Sequence, residues 1–191
     1  FELTKAIPEC IHAADAGRLI EPYLNIIKAY QSAGVPFEDA ILLSNHDMNR
    51  IRSTLGGDIQ KAKLAAAILL TLPGTPYIYY GEEIGMLGIK PDIHLREPFL
   101  WEEDPLKDTR WQKSTYSIRP DVESLEIQMA DPNSIYHHYK KWISLRNDHP
   151  ELSSGTPVFQ NLQNNSILAW IIREKKKSIW VIHNLSDTEI T

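Results

Sequence analysis

Cysteine occurs once among 191 residues, at Cys10, which excludes an intrachain disulfide and leaves the redox compartment unread. No apolar run approaches the roughly 20 residues of a membrane-spanning helix, and no signal-peptide pattern opens the chain. Basic runs are equally scarce. Lys175-Lys176-Lys177 stands alone against a net charge of −5, which argues against a nucleic-acid partner; the triplet reads as a solvated hairpin tip. No internal repeat is visible. Because the chain opens on Phe1 rather than Met, it reads as a piece cut from something longer. What remains is an ordinary globular composition, 42% hydrophobic and 24% charged, long enough for one domain or a domain and a half with a sizeable core.

Against that background one stretch is unusual. Ile41-Leu42-Leu43 reads as a short strand buried on both faces, and it runs straight into Ser44-Asn45-His46-Asp47-Met48-Asn49-Arg50. So many hydrogen-bonding groups together cannot be buried without partners, so the cluster belongs at a strand mouth facing solvent or ligand. Asp58 is positioned to cap a helix running from Ile59 to Leu72. Pro73-Gly74 breaks it, and a second apolar run, Tyr77-Ile78-Tyr79-Tyr80, again ends on polar residues, Gly81-Glu82-Glu83. Strand, helix, strand with polar C-terminal ends fits a βαβ unit of a parallel sheet, where ligands gather at the carboxyl ends of strands.

The flanking regions read as follows. Residues 1–36 are helix and loop, broken at Asp15-Ala16-Gly17. Leu19, Tyr23, Ile26, Ile27 and Tyr30 then share one helical face, and Ser32–Pro36 ends that helix. Met86–Ala130 is a long irregular passage with a short helix expected at Val122–Met129; such passages inside a domain are usually functional. Asp131 as cap and Pro132 at the first helical position open a third long helix. Its buried stripe is Ile135, Tyr139, Trp142 and Ile143. From about Leu152–Gly155 the period changes to two, and Thr156–Asn161, Ile167–Arg173 and Ser178–His183 read as antiparallel strands.

Ser44-Asn45-His46-Asp47, followed by Leu72-Pro73-Gly74-Thr75-Pro76-Tyr77-Ile78-Tyr79-Tyr80-Gly81-Glu82-Glu83-Ile84-Gly85-Met86, resembles the α-amylase family of glycoside hydrolases (family 13). Arg96-Glu97-Pro98-Phe99-Leu100-Trp101 resembles the family's Arg-x-Pro-x-x-Trp. The resemblance implies an α/β fold: the last part of a (β/α)8 TIM barrel, with strands 7 and 8 and helices 6 to 8, followed by an antiparallel β domain and incomplete at both ends. Residues 1–152 would be barrel and 153–191 the start of the β domain. It implies a retaining α-glucan hydrolase acting on starch or maltooligosaccharides, nearest to bacterial α-amylases close to oligo-1,6-glucosidases and neopullulanases. Alternatives are an α-glucosidase, isomerase or transglycosidase on the same scaffold, or a catalytically silent binding subunit.

By the same resemblance Asp47 matches the carboxylate that stabilises the transition state, while His46, Asp92 and Arg96 match residues contacting the −1 sugar. Asn45 and Arg50 would stand behind them. No segment matches the family's nucleophile or its acid/base, and a full barrel needs roughly 250 residues. The chain alone is therefore expected to be inactive, and to self-associate or require the rest of its barrel. No cofactor or metal is expected in this segment, with calcium open for the missing half. An extracellular or periplasmic location is expected over a cytoplasmic one. Other residues have plainer readings. Glu82 and Glu83 are adjacent, so only one can face a barrel interior, and Glu82 reads as a hydrogen-bonded structural carboxylate. His137-His138 cannot converge on a metal from neighbouring positions on a helix. Trp101 and Trp111 are equally readable as sugar platforms or rim caps.

Overall fold

The computed structural model describes residues 2–103, 113–174 and 177–189; Trp111 and most of the lysine triplet lie outside them. Two helices open the chain, α1 (Glu2–Ala13) and α2 (Gly17–Ala33). Asp15 accepts the Gly17 N–H at 3.0 Å where they join. Gly34, at φ 67°, ends α2, a left-handed position where the absence of a Cβ removes the steric penalty. Strand β1 (Ala40–Leu42) and strand β2 (Thr75–Tyr77) pair in parallel, Ala40 opposite Thr75 and Leu42 opposite Tyr77. Between them lie α3 (Ile51–Thr54) and α4 (Ile59–Thr71). As expected, the Asp58 carboxylate caps α4, accepting the Gln60 and Lys61 N–H groups at 2.7 and 3.1 Å.

The long passage carries α5 (Asp92–Leu95) and α6 (Leu125–Ala130), and α7 (Ile135–Asp148) and α8 (Glu151–Ser154) follow. The cap of α7 is Ser134, whose Oγ accepts the His137 N–H, and not Asp131. Asp131 instead closes the preceding turn by accepting the Asn133 N–H. Asp-Pro and Ser are both good starts, and Ser134 also donates to the Gln128 carbonyl at 2.7 Å, which fixes where the helix begins. Ile143 lies on the exposed side of α7, whereas Ile135 and Tyr139 are buried. The stripe is therefore narrower than its periodicity suggested.

Strands β3 (Pro157–Phe159), β4 (Ile167–Glu174) and β5 (Lys177–Asn184) form an antiparallel sheet in that order. One core joins the two parts of the chain. Ile7, Ile11, Leu19 and Tyr23 of α1 and α2 meet Ile41, Leu43, Ile68, Leu69 and Leu72, and then Leu168, Trp170 and Ile172 of β4. The alanines of α4 let it approach closely, and Ala62, Ala66 and Leu70 receive Ile135 and Tyr139 of α7. Arg146 of α7 places its guanidinium on the last carbonyls of α4, donating to Leu70 and Leu72 at 2.8 and 2.9 Å and also to Gly74. A cation at a helix C-terminus satisfies the carbonyls that the helix leaves open.

Strand β1 is buried on one face only, through Ile41 and Leu43, and β2 is largely bare: Tyr77 is 58% exposed, and Ile78 and Tyr80 are exposed as well. The expectation that Ile41–Leu43 is a strand buried on both faces is thus not met within this chain. Among the described residues neither strand has a partner on its outer edge, so nothing covers them there.

Candidate active site

The carboxyl ends of β1 and β2 carry the polar cluster. Past Leu42 the backbone pairing stops. Leu43 and Ser44 are still buried, but His46 and Asp47 are exposed. The loop is shaped locally, because the Asn45 side-chain oxygen accepts the Asp47 N–H at 2.8 Å, a turn that asparagine makes readily. Asp47 is thereby held outward at the strand mouth.

Arg96 gathers the site. Its Nη2 donates to Asp47 Oδ1 at 2.9 Å and to Asp92 Oδ2 at 3.0 Å, while its Nε donates to the His46 carbonyl at 3.1 Å. Asp92 and Arg96 stand four residues apart, at the start of α5 and just past its end, which is the spacing at which side chains meet on a helix. His46 Nε2 lies 3.2 Å from Asp47 Oδ2. All four sequence-identified residues, His46, Asp47, Asp92 and Arg96, are therefore within one network on an open rim. The Lys90 ammonium bonds the other oxygen of Asp92. Chiefly for that reason, with Arg96 adding to it, the Asp92 carboxyl is held below the usual carboxylate range.

Lys90 was not singled out from the sequence. The run Lys90-Pro91-Asp92 was the available signal, and the Lys90 N–H also donates to the Asn49 side chain at 2.9 Å. Gly88 is wedged between α5 and Arg50, where a Cβ would stand 2.3 Å from the His94 carbonyl oxygen and 3.3 Å from Arg50 Cδ. No side chain fits there.

Arg50 is not in the rim network. It is fully buried, with its guanidinium carbon 4.7 and 4.8 Å from the ring centres of Tyr79 and Tyr80 and its Nη1 donating to the Tyr80 carbonyl at 2.7 Å. Aromatic faces take the place of an anion. Burial lowers its pKa, against the opposing pull of both tyrosines and of Glu82 and Glu83.

Glu97, in sequence only a motif position, organises the outer wall. Its carboxylate accepts the backbone N–H groups of Thr115, Tyr116 and Ser117 and the Ser117 hydroxyl, at 2.7 to 3.2 Å. Burial would raise its pKa, but these bonds outweigh burial and hold it below the ordinary value. Arg52 anchors the other end of the passage, on the Gly85 and Asp121 carbonyls and the Asp121 carboxylate. Beside Arg96 lies a cavity of about 370 Å³ lined by Ile93, His94, Glu97, Pro98 and Lys113–Thr115. Trp101 is exposed and packs on Phe99, with ring centres 4.5 Å apart. Chemically, the rim offers two carboxylates as hydroxyl acceptors and a guanidinium, an ammonium and an imidazole as donors. That is a set suited to a polyhydroxylated ligand.

The family description "Alpha amylase, catalytic domain" matches residues 17–155 of this chain. The chain belongs to the α-amylase family. It is 46% identical over 157 residues to Alpha-amylase 3 of Dictyoglomus thermophilum, a match covering 81% of this chain and 32% of that protein. To a 4-alpha-glucanotransferase of Thermotoga maritima it is 31% identical over 196 residues, covering 100% of this chain and 43% of the relative. The crystal structure of an alpha-amylase from H.orenii superimposes with a TM-score of 0.90 at 35% identity, over 97% of this chain and 38% of that one. The α-amylase-family chain thus spans well under half the length of each. Its β1 and β2 are the two closing strands of a TIM barrel, and β3–β5 form the antiparallel sheet that follows.

Proposed function

We propose that this chain forms the closing part of an enzyme acting on α-glucans, with hydrolysis of starch or maltooligosaccharides as its reaction. In this reading Asp47 binds sugar hydroxyls more tightly in the oxocarbenium-like transition state than in the ground state. Arg96, Asp92 and His46 hold the same −1 sugar, and Asn45 and Arg50 set the loop that presents them. The single observation that carries the reading is Arg96, joined to both Asp47 and Asp92 at an open strand mouth. A silent binding subunit has no need to keep that arrangement intact.

Retaining chemistry also needs a nucleophile and an acid/base. The two buried carboxyls nearest the rim are already engaged, Glu82 by Ser44 and Tyr79 and Glu97 by residues 115–117. The reading therefore assigns both catalytic roles to the part of the relatives that this chain does not match. It takes 1–152 as barrel and 153–191 as the beginning of the β domain, leaves calcium to the unmatched part, and has the enzyme exported. The bare β2 edge, with Tyr77 and Ile78, then requires the rest of the barrel or a second copy.

The test is reducing-sugar release from maltoheptaose by this chain alone and by the chain co-expressed with the remaining barrel strands. Release is expected only in the second case. Hydrolysis by the isolated chain would place a nucleophile and an acid within it and overturn the reading. Transfer products in place of water-cleaved ones would move it to the transglycosidase reaction of the T. maritima relative.

A further inference from the structure

Between the rim and the core lies a buried polar pair that the rim network does not use. Ser44 and Glu82 are each 2% exposed. The Ser44 hydroxyl donates to Glu82 Oε1 at 2.5 Å, and Glu82 Oε2 accepts the Tyr79 N–H at 3.3 Å. Glu82 opens a 3-10 turn just after β2, and Ser44 is the last buried residue before Asn45-His46-Asp47. Their position relative to the sheet is informative. Backbone pairing between β1 and β2 ends at Leu42 opposite Tyr77. The Ser44–Glu82–Tyr79 link continues the lateral connection beyond that point by side chain, where the strands would otherwise splay.

The far end of the same loop is fastened independently. Arg50 donates its backbone N–H to the Gly88 carbonyl at 2.9 Å and its Nη1 to the Tyr80 carbonyl. Gly81, between Tyr80 and Glu82, sits at φ 85°, and a Cβ there would stand 2.4 Å from Met86 Sδ and 3.0 Å from Arg50 Nη1. Residues 45–49 therefore span two fixed posts that both rest on the turn after β2, with Asp47 midway between them.

We infer that Glu82 is a positioning residue for Asp47, acting through Ser44, and not only a buried structural carboxylate. This rests on the role proposed for Asp47. Glu82 Oε1 meets the Ser44 hydroxyl and Oε2 the Tyr79 N–H, so a glutamine keeps its oxygen for Tyr79 and turns its NH2 to Ser44 Oγ, replacing a short O–H···O link with a longer N–H···O one. Burial pushes the Glu82 carboxyl up to about 8, outweighing the Ser44 and Tyr79 hydrogen bonds and the Arg50 charge, with Glu83 also raising it. Tyr139 of α7, among the described residues, is also coupled in charge to Glu82. A loop that drifts by about 1 Å at a reacting centre can lose up to a hundredfold in rate, so a link one residue from the site loop has leverage.

The experiment uses the full-length enzyme carrying this segment, with kcat and KM measured on maltoheptaose well below the melting temperature. Glu82→Gln is expected to lower kcat at least about tenfold with KM within about twofold. Ser44→Ala should give a loss in the same direction, and the double variant should be no worse than Glu82→Gln alone, because both act on one link. A purely structural role predicts lower melting temperatures with kcat unchanged, or losses that simply multiply; either result overturns the inference. Should Glu82→Gln not fold, Ser44→Ala alone decides, since an unchanged kcat there rejects the link. Asp47→Asn, measured beside them, separates the two readings: if it abolishes turnover while Glu82→Gln does not touch kcat, the positioning role fails and the role of Asp47 stands.

Discussion

Replacing Arg96 with alanine separates a surface ion pair from a substrate site. The guanidinium touches Asp47, Asp92 and the His46 carbonyl within 3.1 Å. The side chains of Arg96, Asp47 and Asp92 are 47%, 60% and 45% exposed, so solvent screens each pair and it contributes at most about 1 kcal/mol of stability. Both pairs share one nitrogen, so their sum falls short of twice that. The melting temperature of the full-length enzyme should drop by less than about 4 °C, because about 1 kcal/mol shifts a 150–250-residue domain by about 2–4 °C and a larger one by less. Catalysis should respond far more strongly, because Asp47 and Asp92 lose the cation between them and the sugar loses a donor. A fall in kcat/KM of about a hundredfold, or about 2.7 kcal/mol, is expected in the full-length enzyme. The assay pairs kcat/KM on maltoheptaose with thermal melting for Arg96→Ala, Asp92→Ala and the double variant. The double variant should lose less than the two singles combined. Strictly additive losses, or an activity loss no greater than the stability loss, would refute a shared sugar site.

Three further outcomes follow from the same geometry. His183 of β5 is buried against Thr71, its Nε2 3.0 Å from Thr71 Oγ1, and burial lowers its pKa to about 4. The unfolded chain binds that proton from about pH 6.5 downward and the folded chain does not. Stability is therefore full above about pH 6.5 and is lost as pH falls toward 4, by on the order of 3 kcal/mol. Urea midpoints measured from pH 7 to 4 should show that acid loss in the parent and a shallower one in His183→Gln; equal slopes would contradict it. Trp170, fully buried between Phe159 and His183, should cost about 3–5 kcal/mol on truncation to alanine, read from urea unfolding, and a loss under about 1 kcal/mol would show that the sheet is not part of the common core. Gly88→Ala should displace α5, which starts at Asp92, and lower kcat/KM at least about tenfold. Unchanged kinetics in that variant would mean the close approach of Gly88 to α5 does not position the site.

Much of this was legible in the residues because it depends on local chemistry. Asp58 before an Ala- and Leu-rich run identified α4 and its cap, and alternation after Gly155 identified β3–β5. The polar cluster after Ile41–Leu43 located the mouth, and the Asp92–Arg96 spacing survived as a real ion pair on one short helix. What local pattern could not supply was mostly what a distant partner decides. Asp131 and Ser134 are equivalent as caps until Ser134 is seen to reach the Gln128 carbonyl. The apolar run Tyr77–Tyr80 is largely exposed because β2 pairs with β1 on one side only, and among the described residues no strand stands on its other edge. Lys90 is marked only by its place in Lys90-Pro91-Asp92, and Glu97 only by its place in a motif. One acts on Asp92, only two residues away, but across a proline; the other acts on backbone 18 to 20 residues distant.

In the proposed function Asp47 works on the transition state of α-glucan cleavage. The most direct test is kcat for Asp47→Asn in the full-length enzyme, measured on maltoheptaose with substrate binding followed in parallel. The substitution preserves the shape of the side chain and, with the amide oxygen turned toward Arg96, its 2.9 Å contact there, but removes the charge. The account predicts a fall in kcat of at least about a hundredfold with KM little altered, because the lost interaction is made mainly in the transition state. A folded Asp47→Asn enzyme with near-normal kcat, or one whose loss appears in KM alone, would contradict it.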